Sequence, residues 1–299
     1  MSSPLELATR TLIYENRATI ANVLAYIGEL QQLDKVSEKR AKRWGCAALS
    51  AIPLAIFGVF IGAITSGRDV PVFMFGIWGV AAVLLIVGLI LWLSNRRYNL
   101  EDRRYLLTGK VLELLAKDSA ADALVDVKMD LRKPGHASKF TRQGKVRDWK
   151  VKYFEDTWLQ LRGRLLDGTS YQLIVLEKFQ ARSKWTRSRS GKSKHKSKTK
   201  SATDVALRLK PKTNKYAQLT TLSHDAAAAV QLPPWVTLKA LQVSDGTLLL
   251  KAGTKLPWDI PSEKMKLQGQ GNGVDMIAMM FVSLYQVLNL SRIITKASS

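Results

Sequence analysis

The chain has 299 residues, a formal net charge of +22 and a pI near 10.1. Its single cysteine, Cys46, excludes an intrachain disulfide framework and a cysteine-based metal site. The hydrophobic fraction of 46% is ordinary, but much of it is concentrated in two long runs, which argues against an ordinary soluble globule.

Residues 5–39 contain no proline and one glycine, Gly28. Ile13, Ile20, Val23, Ile27 and Leu30 fall mostly at heptad spacing, and Leu24 and Leu33 widen the stripe. This pattern predicts an amphipathic helix within residues 1–43.

Residues 45–66 and 72–94 are both uncharged. Each is long enough to cross about 30 Å of hydrocarbon as a helix, which takes roughly 20 residues. Only Gly67, Arg68, Asp69, Val70 and Pro71 join them, so residues 44–95 are expected to form a transmembrane helical hairpin. Lys39, Arg40, Lys42 and Arg43 precede the first span, and Arg96, Arg97, Arg103 and Arg104 follow the second. This asymmetry predicts that both termini are cytoplasmic, in an inner or plasma membrane. Trp44 and Trp92 sit at the matching interface. Gly58 and Gly62 form a GxxxG pair suited to close helix packing, within the hairpin or between subunits of a homo-oligomer. Pro53 is expected to kink the first span. Neither span carries an ionisable residue, so the hairpin has no evident transport or proton-relay machinery.

Residues 96–118 continue at helical period through Leu100, Leu107, Val111, Leu114 and Leu115 and read as a helical stalk. From about residue 123 the pattern changes to strand. Residues 124–131, 158–166, 171–179, 205–209, 236–243 and 248–251 read as strands. Asp167-Gly168 and Asp245-Gly246 mark hairpin turns. A short helix is expected at residues 225–230, capped by Ser223. Residues 274–294 form a last helix with a narrow polar stripe of Asp275, Gln286, Asn289 and Arg292. So apolar a helix must be covered, by the sheet, by another subunit or by the membrane surface. The fold class is therefore a membrane α-helical hairpin followed by an α+β cytoplasmic domain, residues 119–299, with a mostly antiparallel sheet and a C-terminal helix.

The charge is local. Residues 182–200 hold nine Lys/Arg and no acid, and residues 132–152 hold eight against one, Asp148. The first basic segment contains Pro134, Gly135 and Gly144 and reads as a loop. The second is either a solvated loop or half of a ribbon turning at Gly191, which would put alternate lysines on one face. The candidate anion-binding residues are Arg182, Lys184, Arg187, Arg189, Lys192, Lys194, Lys196, Lys198 and Lys200, with Lys145, Arg147 and Lys150 from the first segment. Phe140, Trp149 and Trp185 lie among them and are able to stack on bases.

No catalytic constellation is found. Gly191-Lys192-Ser193 lacks the earlier glycine and the βα setting of a phosphate-binding loop. His136, His195 and His224 stand apart from other ligand-type residues, and Glu155, Asp156 and Asp259 read as isolated turn or cap acids. Neither metal nor cofactor is expected. The reading is a non-catalytic membrane adaptor or scaffold whose basic domain docks an acidic protein or anionic lipid headgroups. The alternatives are a subunit of an oligomeric membrane assembly or pore, and a membrane-tethered nucleic-acid-binding protein.

Overall fold

The structure is a computed structural model that describes residues 11–64, 72–96, 101–212, 216, 219, 226–244, 246–260 and 271–297. The chain divides into two compact units, residues 28–100 and residues 1–27 with 101–299.

The unit of residues 28–100 is helical. Most of α1 (Ile20–Ile64) and all of α2 (Val72–Arg96) belong to it. Gly45 of α1 faces Trp92 of α2, where a Cβ on the glycine would come within 3.2 Å of the indole. On α2, Val80, Val83, Leu85, Ile86, Val87, Leu89, Ile90 and Leu93 are all exposed, whereas Gly88 is buried and Leu91 and Trp92 are half-buried. Gly58 and Gly62 fall within α1, but their surroundings lie outside the described side chains.

The other unit is built on an antiparallel sheet. Its strands are β1 (Ile13–Thr19), β2 (Leu124–Asp130), β3 (Phe140–Val146), β4 (Trp149–Arg164), β5 (Ser170–Arg187), β6 (Ser193–Lys210), β7 (Thr237–Ser244) and β8 (Thr247–Thr254). The order is β1-β2-β4-β5-β6-β8-β7, and β3 occupies the edge of β4 beyond β2. Alternation puts Val127, Leu161, Leu173, Leu207 and Leu250 on one face in register across five strands, and all five are buried. Two helices, α3 (Asp102–Ala116) and α4 (Gly273–Ala297), supply the apolar partners of that face, including Leu107, Val111, Leu112, Met280, Leu284 and Leu288. A short parallel pair, β9 (Trp258–Asp259) and β10 (Gly271–Asn272), precedes α4.

The C-terminal helix thus covers the sheet, the first of the three partners its apolar surface allowed. Among the described residues its stretch Gly273–Ile293 is long and apolar enough to cross a membrane, and 44% of it is buried.

Several segments differ from expectation. Residues 13–19 are strand β1 and not the start of a helix, because they pair with β2 along its whole length and stack Tyr14 on Tyr26, ring centroids 4.2 Å apart. The helix begins at Ile20, where the Thr19 hydroxyl accepts from the Asn22 N–H at 3.3 Å as an N-cap. Residues 140–152 are not a loop. They form β3 and the start of β4, since cross-strand pairing overrides the weak strand preference of Gly144. Ser223 and Asp225 lie outside the described residues, while residues 226–229 form a turn in which Ala229 N–H donates to the Ala226 carbonyl at 3.3 Å.

The two longest strands, β5 and β6, have 18 residues each and pair along their whole length. The loop entering β5 is a three-residue type, with Gly168 at φ +88° and N–H groups of Gly168 and Leu165 bonded to Leu165 and Thr169 carbonyls at 2.9 Å. Asp167 fixes it by accepting from the Thr169 N–H and hydroxyl, both at 2.8 Å.

Gly163 lies opposite Tyr171, and a Cβ there would fall 2.5 Å from the phenolic oxygen of that buried ring. Tyr171 is itself held edge-on to Phe281 at 6.0 Å. G163A is expected to force this ring out of place at a cost of about 1–3 kcal/mol, read as a lowered Tm. An unchanged Tm would contradict the packing described.

Candidate anionic-ligand interface

Strands β3 to β6 extend past the helix-covered core as a four-stranded arm. Its root is a cluster of charges buried between α3 and the sheet. Arg104, fully buried, donates to Asp156 at 2.7 Å and Glu177 at 3.1 Å, and also to the carbonyls of Asp130 and Arg132 at 2.8 and 3.0 Å. Lys139, also buried, donates to the same Asp156 oxygen at 2.7 Å and to the Arg132 carbonyl at 2.8 Å. Arg103 bridges Glu101 and Glu177 at 2.5 and 3.0 Å, and Arg132 binds Asp130 at 2.6 Å. Four cations thus meet four carboxylates, so the cluster is neutral. Two indoles enclose it: Arg103 stacks over Trp258 at 5.0 Å and Arg104 over Trp158 at 5.3 Å. The Trp258 indole N–H donates to Thr203 at 2.8 Å.

Asp156 and Glu177 are direct cross-strand partners at inward positions of β4 and β5. Asp156 is therefore a buried structural ligand and not the turn or cap acid its sequence context suggested. Burial raises the Asp130 carboxyl, but hydrogen bonds from the Arg132 side chain and backbone, with the charges of Lys139 and Arg132, outweigh it and hold the group below the ordinary carboxylate range.

Beyond this root the inward face carries Phe154 and Phe179, with ring centroids 5.8 Å apart, and Phe140 edge-on to Phe154 at 5.8 Å. From there the arm is basic. Between them, residues 140–153 and 180–200 hold fourteen Lys/Arg and one acid, Asp148. The register sorts the predicted residues. Lys184 pairs with Lys196, Arg182 with Lys198 and Gln180 with Lys200, and Lys194 lies opposite Thr186. Arg182, Lys184, Lys194, Lys196, Lys198 and Lys200 therefore share one face of the ribbon. Trp149 lies on that face as well, with the ammonium groups of Lys184 and Lys198 at 4.9 and 4.4 Å from its ring centre. Arg142 sits over Tyr153 at 4.6 Å.

Lys145 and Lys150 pair with each other on the opposite face, as does Arg187, two residues beyond Trp185. Arg189 and Lys192 lie in the β5–β6 turn, where Gly191 takes φ +79°, and Arg147 lies in the β3–β4 turn at φ +52°. The structure thus gathers half of the twelve candidates on one face and distributes the rest over the other face and the two tips. At the outer end Trp185 is 71% exposed, its ring 4.9 Å from that of His195. Among the described residues no three His, Cys, Asp or Glu side chains converge as metal ligands would.

Truncating Arg104 would leave Asp156 and Glu177 buried without their shared partner. R104A is expected to destabilise the unit by about 3–5 kcal/mol, measured by denaturant unfolding. On acidification, the contribution of Asp130 is complete above the ordinary carboxylate pKa of about 3.9 and is lost as pH falls through its lower folded value. D130N should flatten that acid limb. An unaltered acid limb would contradict the assigned pairing.

No protein-family model matches the chain, and no curated protein or solved structure matches it either, so the interface is read from its own residues.

Proposed function

We propose that this chain is a non-catalytic, membrane-anchored docking protein whose basic arm binds the anionic surface of the leaflet next to it. The observation that carries the reading is the shared face of Arg182, Lys184, Lys194, Lys196, Lys198 and Lys200. Like charges directly opposite one another destabilise a ribbon. Six of them aligned on one face with no acid among residues 180–200 are a disposition that an anionic surface relieves. Each cation near such a surface contributes roughly 1 kcal/mol over a Debye length of about 8–10 Å.

Anchoring by a two-span hairpin over residues 45–66 and 72–94 is part of the proposal. Its support is α2. At 100° per residue, the eight exposed apolar side chains from Val80 to Leu93 sweep roughly 220° of the helix, and the remaining arc holds Gly88, Leu91 and Trp92. Leaving eight such side chains in water forfeits on the order of 10–20 kcal/mol, as much as a whole domain's stability. Hydrocarbon removes that penalty. With flanking cations on the same side, both termini and the arm face the cytoplasm in this reading. Once tethered, the arm meets its own leaflet at high effective concentration, so a few kcal/mol are enough to hold it there.

Nucleic acid is the second reading. Trp149, Tyr153 and Trp185 stand among the cations, though Lys184 and Lys198 already sit over Trp149 and His195 beside Trp185.

The test uses the full chain with Cys46→Ala and an environment-sensitive dye on Ser190→Cys. It is placed in nanodiscs of neutral lipid or with about a third phosphatidylserine. We expect a blue shift with the anionic lipid alone, reversed in 0.5 M salt and abolished by K184Q/K194Q/K196Q/K198Q/K200Q. Identical spectra in both lipids would sink the leaflet reading. Saturable RNA binding in neutral discs, lost in the same variant, would favour nucleic acid instead.

A further inference from the structure

The face of the sheet opposite the helices carries the arm's cations Arg182, Lys184, Lys194, Lys196, Lys198 and Lys200 toward one end of β5 and β6, and a second basic site toward the other end. One row of residues runs in register across seven strands: Arg17, Asp126, Arg162, Gln172, Arg208, Leu249 and Gln242. The next row includes Arg164, Ser170 and Lys210. Arg162 and Arg164 on β4 and Arg208 and Lys210 on β6 therefore form two columns on either side of Gln172 and Ser170. Within a column the cations are about 6.7 Å apart along the strand, and the columns are about 9.5 Å apart across two strand spacings. All four side chains are exposed, and they line a cavity of about 650 Å³.

Of the acids on this face, Asp126 stands next to Arg162 in the row and lines the cavity beside Arg17, whereas Glu15 and Asp204 are paired with lysines. Glu15 binds Lys128 at 2.6 Å, and Asp204 binds Lys178 at 3.2 Å and also Lys239. Asp126 lies 3.5 Å from Arg17 on the outer strands. Among the described residues Arg162, Arg164, Arg208 and Lys210 meet no carboxylate within ion-pair distance. Gln172 stands between Arg162 and Arg208 in the register; turned with its amide oxygen toward β4, it would accept from Arg162 Nε and Nη2 at 3.2 Å each and hold that guanidinium at the edge of the groove.

We propose that this groove binds a compact polyphosphate: a small molecule or headgroup bearing at least two phosphate groups. A single phosphate would engage one column only, whereas groups a few ångströms apart would take fork-like contacts from both. The cavity's size falls in the range of small-ligand sites, about 300–1,000 Å³. Its lining offers no exposed aromatic side chain, because Tyr171 is buried on the other face, so it lacks the stacking platform that single-stranded nucleic acid uses. The groove lies some ten residues along β5 from Arg182 and Lys184, so it is distinct from the arm, and either site can fail without the other.

The test is calorimetric titration of the detergent-solubilised full chain with inorganic tripolyphosphate at 0.15 M salt. One saturable site is expected. R162Q/R208Q should weaken it at least tenfold. Q172E, which puts a carboxylate between the columns without removing a contact to the core, should weaken it similarly with Tm unchanged. K194Q/K196Q/K198Q on the arm should leave it intact. Two further arms separate the sources. If flotation shows the chain seizing vesicles with a bisphosphorylated inositol lipid, but not charge-matched phosphatidylserine, the ligand is a headgroup; if only free tripolyphosphate binds, it is soluble. Equal loss in arm and groove variants would overturn the site. So would binding that never saturates, or equal competition by a polyglutamate peptide or an RNA oligomer of the same charge.

Discussion

A guanidinium withdrawn from water has to be matched, and Arg104 decides how this domain goes together. It enters from the first turn of α3 and reaches carboxylates on two strands and carbonyls on the chain leaving a third. An uncompensated buried ion costs several kcal/mol, so α3 can dock only in the position that aligns Asp156 with Glu177. The same cluster marks a change of character along β4 and β5. On one side are Leu159, Leu161, Leu173 and Val175, buried under the helices. On the other are the phenylalanines and then the lysines. The ion cluster closes the core where the apolar cover ends, and it gives a charged hairpin pair a rigid root.

That root matters for what the arm can do. A mobile run of lysines loses chain entropy whenever it settles on a surface. Here cross-strand pairing has already fixed the backbone, so six cations are presented together. The repulsion among them is offset by ladder hydrogen bonds and by the Trp149 ring beneath two ammonium groups. The arm and the groove on the open face use one chemistry in two ways. The arm is long and regular, with six cations on one face, suited to an extended anionic surface. The groove is bounded by two columns and suited to something small. In the proposed function, tethering to a bilayer through the exposed apolar helices would turn the first into an intramolecular contact.

Much of this was legible in the residues. The alternation at 171–179 and 205–209 located the core strands, because one face of an antiparallel sheet is buried and period two follows. The ribbon turning at Gly191 was one of two readings of the lysine run, and the register resolved it. The strand at residues 13–19 was not legible: Ile13 fitted the heptad that continues from Ile20, and only pairing with β2 distinguishes the two. The ion cluster was missed although it left a signal. In YQLIVLEKF, Glu177 stands at an inward position between Val175 and Phe179, and an acid there demands a buried cation. Arg103 and Arg104 were read as flanking charges of a membrane span, which hid their second use. The groove could not be seen at all, because Arg162 and Arg208 are 46 positions apart and meet only through the register of β5.

The proposed docking role requires the arm and the groove to lie on the cytoplasmic side of the bilayer. Labelling with a membrane-impermeant maleimide tests this directly, using Cys46→Ala with Ser190→Cys at the tip of the β5–β6 turn. Modification is expected in inside-out vesicles and none in intact cells. Labelling of intact cells would contradict the cytoplasmic placement.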